Sequence, residues 1–148
     1  MRIRSLLPTG TDGPALLALC RPALDVVTPD VLCAVDRALA ATKAASRRDD
    51  VQVVLAEAIN NIAEHAYAEQ DFGALALRIL LNDTVLTIQL TDWGGALPDD
   101  QAQSAPPPVP MNLSEGGYGW FLIRTLTSVT SYSRVHGQNR LTLEFELV

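Results

Sequence analysis

Two stretches in the first half of the chain carry apolar residues at intervals of three and four, the spacing of one helical face. The first stretch, residues 28–45, opens with Thr28 as a candidate N-cap and Pro29 at the first helical position. The second stretch, residues 51–67, follows the pair Asp49-Asp50, either of which is a candidate cap. The pattern therefore predicts two consecutive helices.

After these helices the sequence becomes rich in strand-favouring residues, over residues 74–81 and 84–91. Because only Asn82-Asp83 separates the two runs, we expect a tight antiparallel hairpin. Residues 1–27 give weaker signals, and the pattern there is compatible with one strand at 2–7 and another at 23–27.

A long polar segment follows the first hairpin, and five of the nine prolines fall between Pro98 and Pro110. This composition is typical of a long loop. A helical pattern then covers residues 120–128, and a second hairpin is expected from 129–135 and 140–147, with residues 137–139 as its turn. The order of elements predicts a single domain over residues 1–148. Its expected fold class is α+β, a two-layer sandwich with a mixed, mainly antiparallel sheet and the helices on one face.

Composition narrows the classes of partner and the compartment. The 148 residues carry a formal net charge of −6, whereas direct binding to nucleic acid requires a basic face. No apolar run approaches the ~20 residues of a membrane-spanning helix, and the first residues do not resemble a secretory signal, so we expect a cytoplasmic protein without a membrane partner. Cys20 and Cys33 are too few and too loosely spaced for a disulfide framework or a zinc site, and we expect both to be buried.

The predicted second helix carries two polar residues with chemical potential. Glu57 and Asn61 are four residues apart, so their side chains lie about 5 to 6 Å apart on one helical face. A carboxylate there can polarise a hydroxyl or a water, and an amide oxygen can complete a Mg²⁺ shell together with phosphate oxygens. Taken alone, such a pair usually belongs to an ordinary solvated face.

Two later segments point in the same direction. Asp92-Trp93-Gly94-Gly95-Ala96 stands at a predicted strand end, where glycines let the backbone approach a flat ligand and the aspartate can accept a hydrogen bond from an amine. Segments of this type are also common strand-ending turns. Gly116–Gly119 opens a predicted helix, whose free N–H groups favour phosphate. A dinucleotide fold is not indicated, because a proline-rich loop and not a strand precedes these glycines.

In this order, the helix with Glu57 and Asn61, the strand ending at Asp92 and the glycine turn resemble the Bergerat-type ATPases shared by gyrase, histidine kinases, the heat-shock chaperone and the mismatch-repair protein MutL. The likeness covers roughly residues 28–148. Within that superfamily, the segment LAEAINNIAEHAY at residues 55–67 is most similar to the anti-sigma factor serine kinases. The resemblance implies a domain that binds ATP and Mg²⁺.

The resemblance also implies roles for residues of the first two segments. Glu57 matches the residue that acts as a base or orients water, and Asn61 matches the asparagine that binds Mg²⁺. Asp92 matches the aspartate that recognises the adenine amino group, and Gly94 matches the glycine that follows it. Ala96 stands where the family usually has a further glycine, and its small side chain still lets adenine approach.

The third segment matches the part of the family that covers the phosphates. Gly117, Tyr118 and Gly119 fall in the second glycine box, and residues 98–115 match the lid over the nucleotide. This lid contains no basic side chain, so the phosphate charge must be met by Mg²⁺, backbone N–H groups or an arginine from elsewhere. Arg124 occupies a commonly basic position in the following helix, and we assign it no catalytic role.

Three functions are compatible with this resemblance. The first is an anti-sigma factor with serine/threonine kinase activity, which phosphorylates an anti-anti-sigma partner and thereby controls a sigma factor. The second is a nucleotide-gated anti-sigma binding module without turnover, favoured by Ala96 and the lid without basic residues. The third is a detached histidine-kinase-like ATPase domain, against which stands the absence of a phosphoacceptor helical hairpin in the sequence. Family likeness further implies a homodimer.

Overall fold

Five antiparallel strands and three α-helices make up the computed structural model, which describes residues 14–67, 73–96 and 117–147. The strands lie side by side in the order β1-β2-β3-β5-β4. Their bounds, with those of the helices, are β1 Leu17–Pro22, α1 Thr28–Ala40, α2 Arg48–Asn61, β2 Ala74–Leu81, β3 Val85–Asp92, α3 Gly117–Leu126, β4 Val129–Val135 and β5 Gln138–Glu146.

Alternation along the central strands places the core between the sheet and the helices. Every second residue of β2, β3 and β5 is buried, as in the cross-strand row Ile79, Ile88 and Leu143. These side chains pack in one cluster with apolar residues of the helices, such as Leu55 of α2 and Ile123 of α3. The predicted α+β two-layer sandwich is confirmed, and its sheet is antiparallel throughout the five described strands.

The N-terminal part of the described chain differs from the prediction. The strand expected at residues 23–27 is wrong, since β1 covers Leu17–Pro22 and Asp25–Val27 forms a short 3-10 turn. β1 pairs with β2 up to Pro22, and Ala23 N donates to Gly73 O before the chain turns away from the sheet. The strand expected at residues 2–7 lies outside the described residues.

The two predicted helices are present, but their ends differ. Thr28 is the first residue of α1 and not its cap, because Val27 occupies that position and no side chain caps the helix. α1 ends at Ala40, five residues early, where the Thr42 hydroxyl donates to Leu39 O (2.8 Å). Asp49 and Asp50 likewise lie inside the first turn of α2 and do not cap it. There their carboxylates interact favourably with the positive N-terminal end of the α2 dipole.

Both hairpins form as predicted, with different turns. Asn82–Thr84 joins β2 to β3 as a three-residue turn, in which Asn82 Oδ1 accepts from the backbone N–H groups of Thr84 and Val85. His136 and Gly137, both with positive φ, form the second turn. The expectation that both cysteines are buried is wrong. Cys20 lies on the uncovered side of the edge strand β1, and Cys33 lies on the face of α1 that points away from the core.

Candidate functional site

A cleft opens between the C-terminal half of α2, the end of β3 and the helix α3. The space in and over the cleft amounts to about 460 Å³, a volume that includes open solvent. Its walls are mixed, because apolar side chains of the helices and of β5 surround a few buried polar groups. The lining residues are Ala58, Asn61, Ile62, His65, Ala66, Asp92, Gly95, Ala96, Trp120, Tyr132, Asn139 and Leu141. The predicted residues Asn61, Asp92 and Ala96 therefore come together in one cleft.

The end of α2 forms one wall of this cleft. After Asn61 the helix continues for one wider π-helical turn, Ile62–Ala66, before it ends at Tyr67. Single π turns of this kind frequently occur at functional sites. The turn presents Ile62, His65 and Ala66 to the cleft one after another, so the wall extends from the middle of α2 to the sheet.

Glu57 lies one turn before Asn61 and faces the start of α3. A Cβ atom placed on Gly119 would come within 2.6 Å of Glu57 Oε2. The Glu57 carboxylate thus occupies the space that a side chain at position 119 would need. The sequence-predicted pair of a glycine turn and a helical carboxylate is in direct proximity in the structure.

The opposite end of the same helix contacts the loop after β3. Ala66 O accepts a hydrogen bond from Gly95 N at 2.6 Å, and a Cβ atom on Gly94 would lie only 2.2 Å from that oxygen. Gly94 is therefore required by close backbone packing. Since Glu57 and Ala66 are nine residues apart, the helix separates the two ends of the site by about 13 Å.

Asp92 is the buried acid of the site, with 6% of its surface exposed. Its Oδ1 atom accepts two hydrogen bonds, from Gly94 N at 2.9 Å and from Asn139 Nδ2 at 2.8 Å. Neither bond uses Oδ2. Burial raises the pKa of Asp92 above its usual value, although the two hydrogen bonds and the nearby Arg134 charge act to lower it.

The side chain of Tyr67 also holds the loop that follows Asp92. The Tyr67 hydroxyl donates to Ala74 O at 2.5 Å and accepts from Trp93 N at 2.9 Å. One buried side chain thereby links the end of α2, the start of β2 and the residue after Asp92. His65, two residues earlier, lies with its Nε2 3.9 Å from Glu64 Oε2 at the cleft wall.

Asn139 is a site residue that the sequence reasoning missed. It lies at the start of β5 directly opposite Asp92 in the sheet register, and only 3% of its surface is exposed. One signal was present in the sequence. The inward positions of β5 read Asn139, Leu141, Leu143 and Phe145, so a single amide interrupts an otherwise apolar face.

The other predicted residues of α3 are not among the described residues that line the cleft. Gly117 begins α3, and Tyr118 is 47% exposed, with its ring stacked 6.3 Å from the Phe121 ring. Tyr118 does not belong to the cleft lining formed by the described residues. The Arg124 guanidinium lies 5.7 Å from the centre of the ring of Trp120, which lines the cleft. The predicted lid at 98–115 and Gly116 lie outside the described residues.

The donor set at the cleft fits a magnesium ion that is held mainly by a ligand. Among the described residues there is no group of three or more His, Cys, Asp and Glu side chains that could hold a metal alone. Mg²⁺ is usually bound by one or two protein oxygens together with phosphates and waters. Asn61 lines the cleft and carries a side-chain oxygen of the kind that Mg²⁺ binds, and its Nδ2 atom is buried without a hydrogen-bond partner among the described residues.

None of the helices in the described part of the chain is long and apolar enough to cross a membrane.

Comparison with known proteins agrees with this geometry. A family model described as the histidine kinase-like ATPase domain matches residues 22–145. The chain is 33% identical over 90 residues to the serine/threonine-protein kinase BtrW of Bordetella bronchiseptica. This match covers 59% of this chain and 62% of that protein. It is 34% identical over 83 residues to the serine-protein kinase RsbW of Halalkalibacterium halodurans (53% and 50% covered). It is 31% identical over 83 residues to RsbW of Bacillus subtilis (53% and 52% covered). The matches thus span between half and two thirds of these relatives.

Proposed function

Because the chain belongs to the histidine kinase-like ATPase domain family, we propose that it is an anti-sigma factor that binds ATP and Mg²⁺ and phosphorylates an anti-anti-sigma partner on serine or threonine. The observation that carries this proposal is the layout along α2. Its Glu57 lies against the first turn of α3, and its Ala66 lies against the loop after Asp92. The names of the relatives, all serine or serine/threonine kinases, support the kinase activity.

The Asp92 end of the cleft suits the base of ATP. Adenine presents an exocyclic amine, and Asp92 Oδ2, which takes no part in the bonds to Gly94 and Asn139, is an acceptor for it. Ile62 and Leu141 supply apolar walls for the flat ring, and Ala96 is small enough to let it enter.

The α3 end suits the phosphates. A helix N-terminus with glycines offers unhindered backbone N–H groups and a positive dipole end, and both stabilise anions. Gly117 and Gly119 are the glycines at this terminus, and Tyr118 lies between them. Asn61 would hold Mg²⁺ through its side-chain oxygen, and the bound ion would neutralise phosphate charge.

Glu57 is then the residue that acts on the partner. Its carboxylate lies at the phosphate end, where it orients the partner's hydroxyl and accepts its proton. The hydroxyl oxygen forms a bond to the γ-phosphorus while the bond from that phosphorus to the β–γ bridging oxygen breaks, and ADP leaves. Positioning and charge neutralisation carry most of such a reaction.

The proposed activity implies two protein partners and a cellular setting. One partner is the anti-anti-sigma protein, which supplies the hydroxyl, and the other is a sigma factor. Family likeness further favours a homodimer. Because ATP and the transcription machinery are found in the cytoplasm, we expect the proposed function there.

Incubation with radiolabelled ATP, Mg²⁺ and the anti-anti-sigma protein encoded nearest to this gene tests the proposal. Label should accumulate on a serine or threonine of the partner, and Glu57→Gln should abolish it. Label that appears on a histidine, or label that is independent of Glu57, would refute the proposed reaction.

A further inference from the structure

We propose that Asn139 determines the base specificity of the site, because together with Tyr132 and Arg134 it holds Asp92 Oδ1 and leaves Oδ2 as the acceptor for the base, which the amine of adenine satisfies and the carbonyl of guanine does not. This inference rests on the proposed role of Asp92 in binding the base. Asn139 is a positioning residue here, since it acts through the Asp92 side chain.

The nitrogen end of the Asn139 amide faces only acceptors. Nδ2 lies 2.8 Å from Asp92 Oδ1, 2.9 Å from Gly95 O and 3.3 Å from Gly94 O. The amide therefore holds both the acid and the two carbonyl groups of the loop that follows it. Because Asn139 is paired with Asp92 in the sheet register, these contacts start from a rigid backbone.

The oxygen end of the same amide faces only donors. Oδ1 accepts from the Tyr132 hydroxyl at 2.6 Å and from Arg134 Nη1 at 2.6 Å. A flipped amide would place its N–H groups against these donors and its oxygen against Asp92, so the orientation of Asn139 is fixed from both sides. Arg134 Nη1 also donates to Gly94 O at 2.9 Å and ties the loop to β4.

The network has a direct consequence for the acid. With Oδ1 held by Gly94 and Asn139, the atom of Asp92 that remains for a ligand is Oδ2, which as a carboxylate oxygen only accepts. The amine of adenine donates to such an atom, whereas the carbonyl oxygen of guanine is repelled by it. A site built for one hydrogen-bonding pattern rejects the other strongly.

The network also acts on the charge of the acid. Burial raises the pKa of Asp92, and the Asn139 hydrogen bond and the Arg134 charge oppose that rise. Without Asn139 the carboxyl is freer to rotate and to take up a proton. A protonated carboxyl donates a hydrogen bond, which guanine accepts. Loss of the network should therefore relax the choice of base.

Calorimetric titrations with Mg–ATP and Mg–GTP test this inference in the full chain. We expect the wild type to prefer ATP, and Asn139→Leu to reduce the ATP-to-GTP affinity ratio by about tenfold or more, as expected when a hydrogen bond to a charged group is lost. Tyr132→Phe removes one donor to Asn139 and keeps the ring, so the ratio should fall by a smaller factor, about threefold.

Gln89→Leu is the matched control. Gln89 is also a buried polar residue of the central sheet. In β3 it stands between Ile88 and Leu90, whose side chains face the core, so its own side chain lies on the other face of the sheet, away from the cleft. Its variant should therefore keep the wild-type ratio. If Asn139→Leu does not fold, Tyr132→Phe decides the question. An equal loss of affinity for both nucleotides, or an unchanged ratio, would show that Asn139 has a structural role only.

Failure of the proposed function would look different. A wild type without preference for ATP, or an Asp92→Asn variant with unchanged ATP affinity, would contradict the adenine site itself. In contrast, an Asp92-dependent preference for ATP that does not respond to Asn139 or Tyr132 would contradict this inference alone.

Discussion

The carboxylate of Glu57 and the backbone of Gly119 share one small space, in which a side chain at position 119 would come within 2.6 Å of Glu57 Oε2. The two residues are 62 positions apart in the sequence and belong to different helices. The glycine therefore leaves the backbone N–H groups at the start of α3 unhindered by a side chain, and it leaves room for the Glu57 carboxylate.

Replacing Gly119 by alanine should separate folding from phosphotransfer. The atom that a methyl group would meet is the far end of the flexible Glu57 side chain, which can move aside at little cost. Alanine also favours a helix over glycine by up to about 1 kcal/mol. We expect the stability in urea to be unchanged or higher, while the rate of transfer from ATP to the partner falls at least about tenfold, because Glu57 is displaced. A transfer rate equal to that of the wild type would contradict the placement of Glu57 at the reacting end.

Gly94→Ala should behave in the opposite way. Its methyl group would meet the backbone oxygen of Ala66 at 2.2 Å, which cannot move without shifting the end of α2. We expect a loss of about 1–3 kcal/mol of unfolding free energy, with weaker ATP binding. Gly95→Ala is the control, since its Cβ would lie at an ordinary 3.6 Å from the same oxygen. Urea unfolding of the pair checks the prediction, and equal stabilities would refute the close packing at Gly94.

Tyr67→Phe removes the hydroxyl that joins Ala74 O to Trp93 N. Both backbone groups would be left without this partner, and we expect a loss of about 1–3 kcal/mol in unfolding free energy together with weaker ATP binding. Tyr118→Phe is the matched control, because Tyr118 is half exposed and its hydroxyl is not part of this link. Comparable stabilities for the two variants would show that the Tyr67 bridge contributes little.

The raised pKa of Asp92 gives a prediction for stability against pH. A group whose folded pKa lies above its unfolded value contributes stability that is present at low pH and lost as the pH rises through the folded pKa. Ionised Asp92 is thus a cost to the fold at neutral pH. Asp92→Asn removes that charge and keeps an oxygen that accepts from Gly94 N.

We therefore expect Asp92→Asn to be at least as stable as the wild type at neutral pH, with an advantage that disappears in acid below the usual aspartate pKa. The same variant should bind ATP about 10- to 100-fold more weakly, because the new amide group donates where a carboxylate oxygen accepted. Denaturant unfolding at several pH values checks the first part. A variant that is less stable at neutral pH than in acid, relative to the wild type, would have the wrong sign.

The sequence was sufficient for those parts of the fold that repeat locally. Both long helices and both hairpins follow from their apolar spacing. Glu57, Asn61 and Asp92 became candidate site residues because their order along the chain resembles that of a known family. β1 was misplaced because it is an edge strand with a mostly exposed face, so its six residues lack a clear alternation of apolar and polar positions.

The parts that depend on distant contacts were not predictable. Asn139 meets Asp92 across 47 positions of sequence, and a single amide in a strand gives no local indication of its partner. The burial of Gly94 against Ala66 likewise arises only when the end of α2 packs on the end of β3. Capping was mispredicted at Thr28 for a related reason, since neighbouring backbone and not the side chain decides where α1 begins.

The most direct test of the proposed role of Glu57 is single-turnover transfer from labelled ATP to the anti-anti-sigma partner. The transfer rate and the ATP affinity are measured in both the wild type and Glu57→Gln. Glu57 lies against Gly119, at the end of the site proposed for the phosphates, and is not among the described residues that line the cleft proposed for the base. We predict that Glu57→Gln binds ATP within about threefold of the wild type and transfers phosphate at least about 100-fold more slowly. Transfer at the wild-type rate by the Gln variant, with ATP bound, would contradict the account.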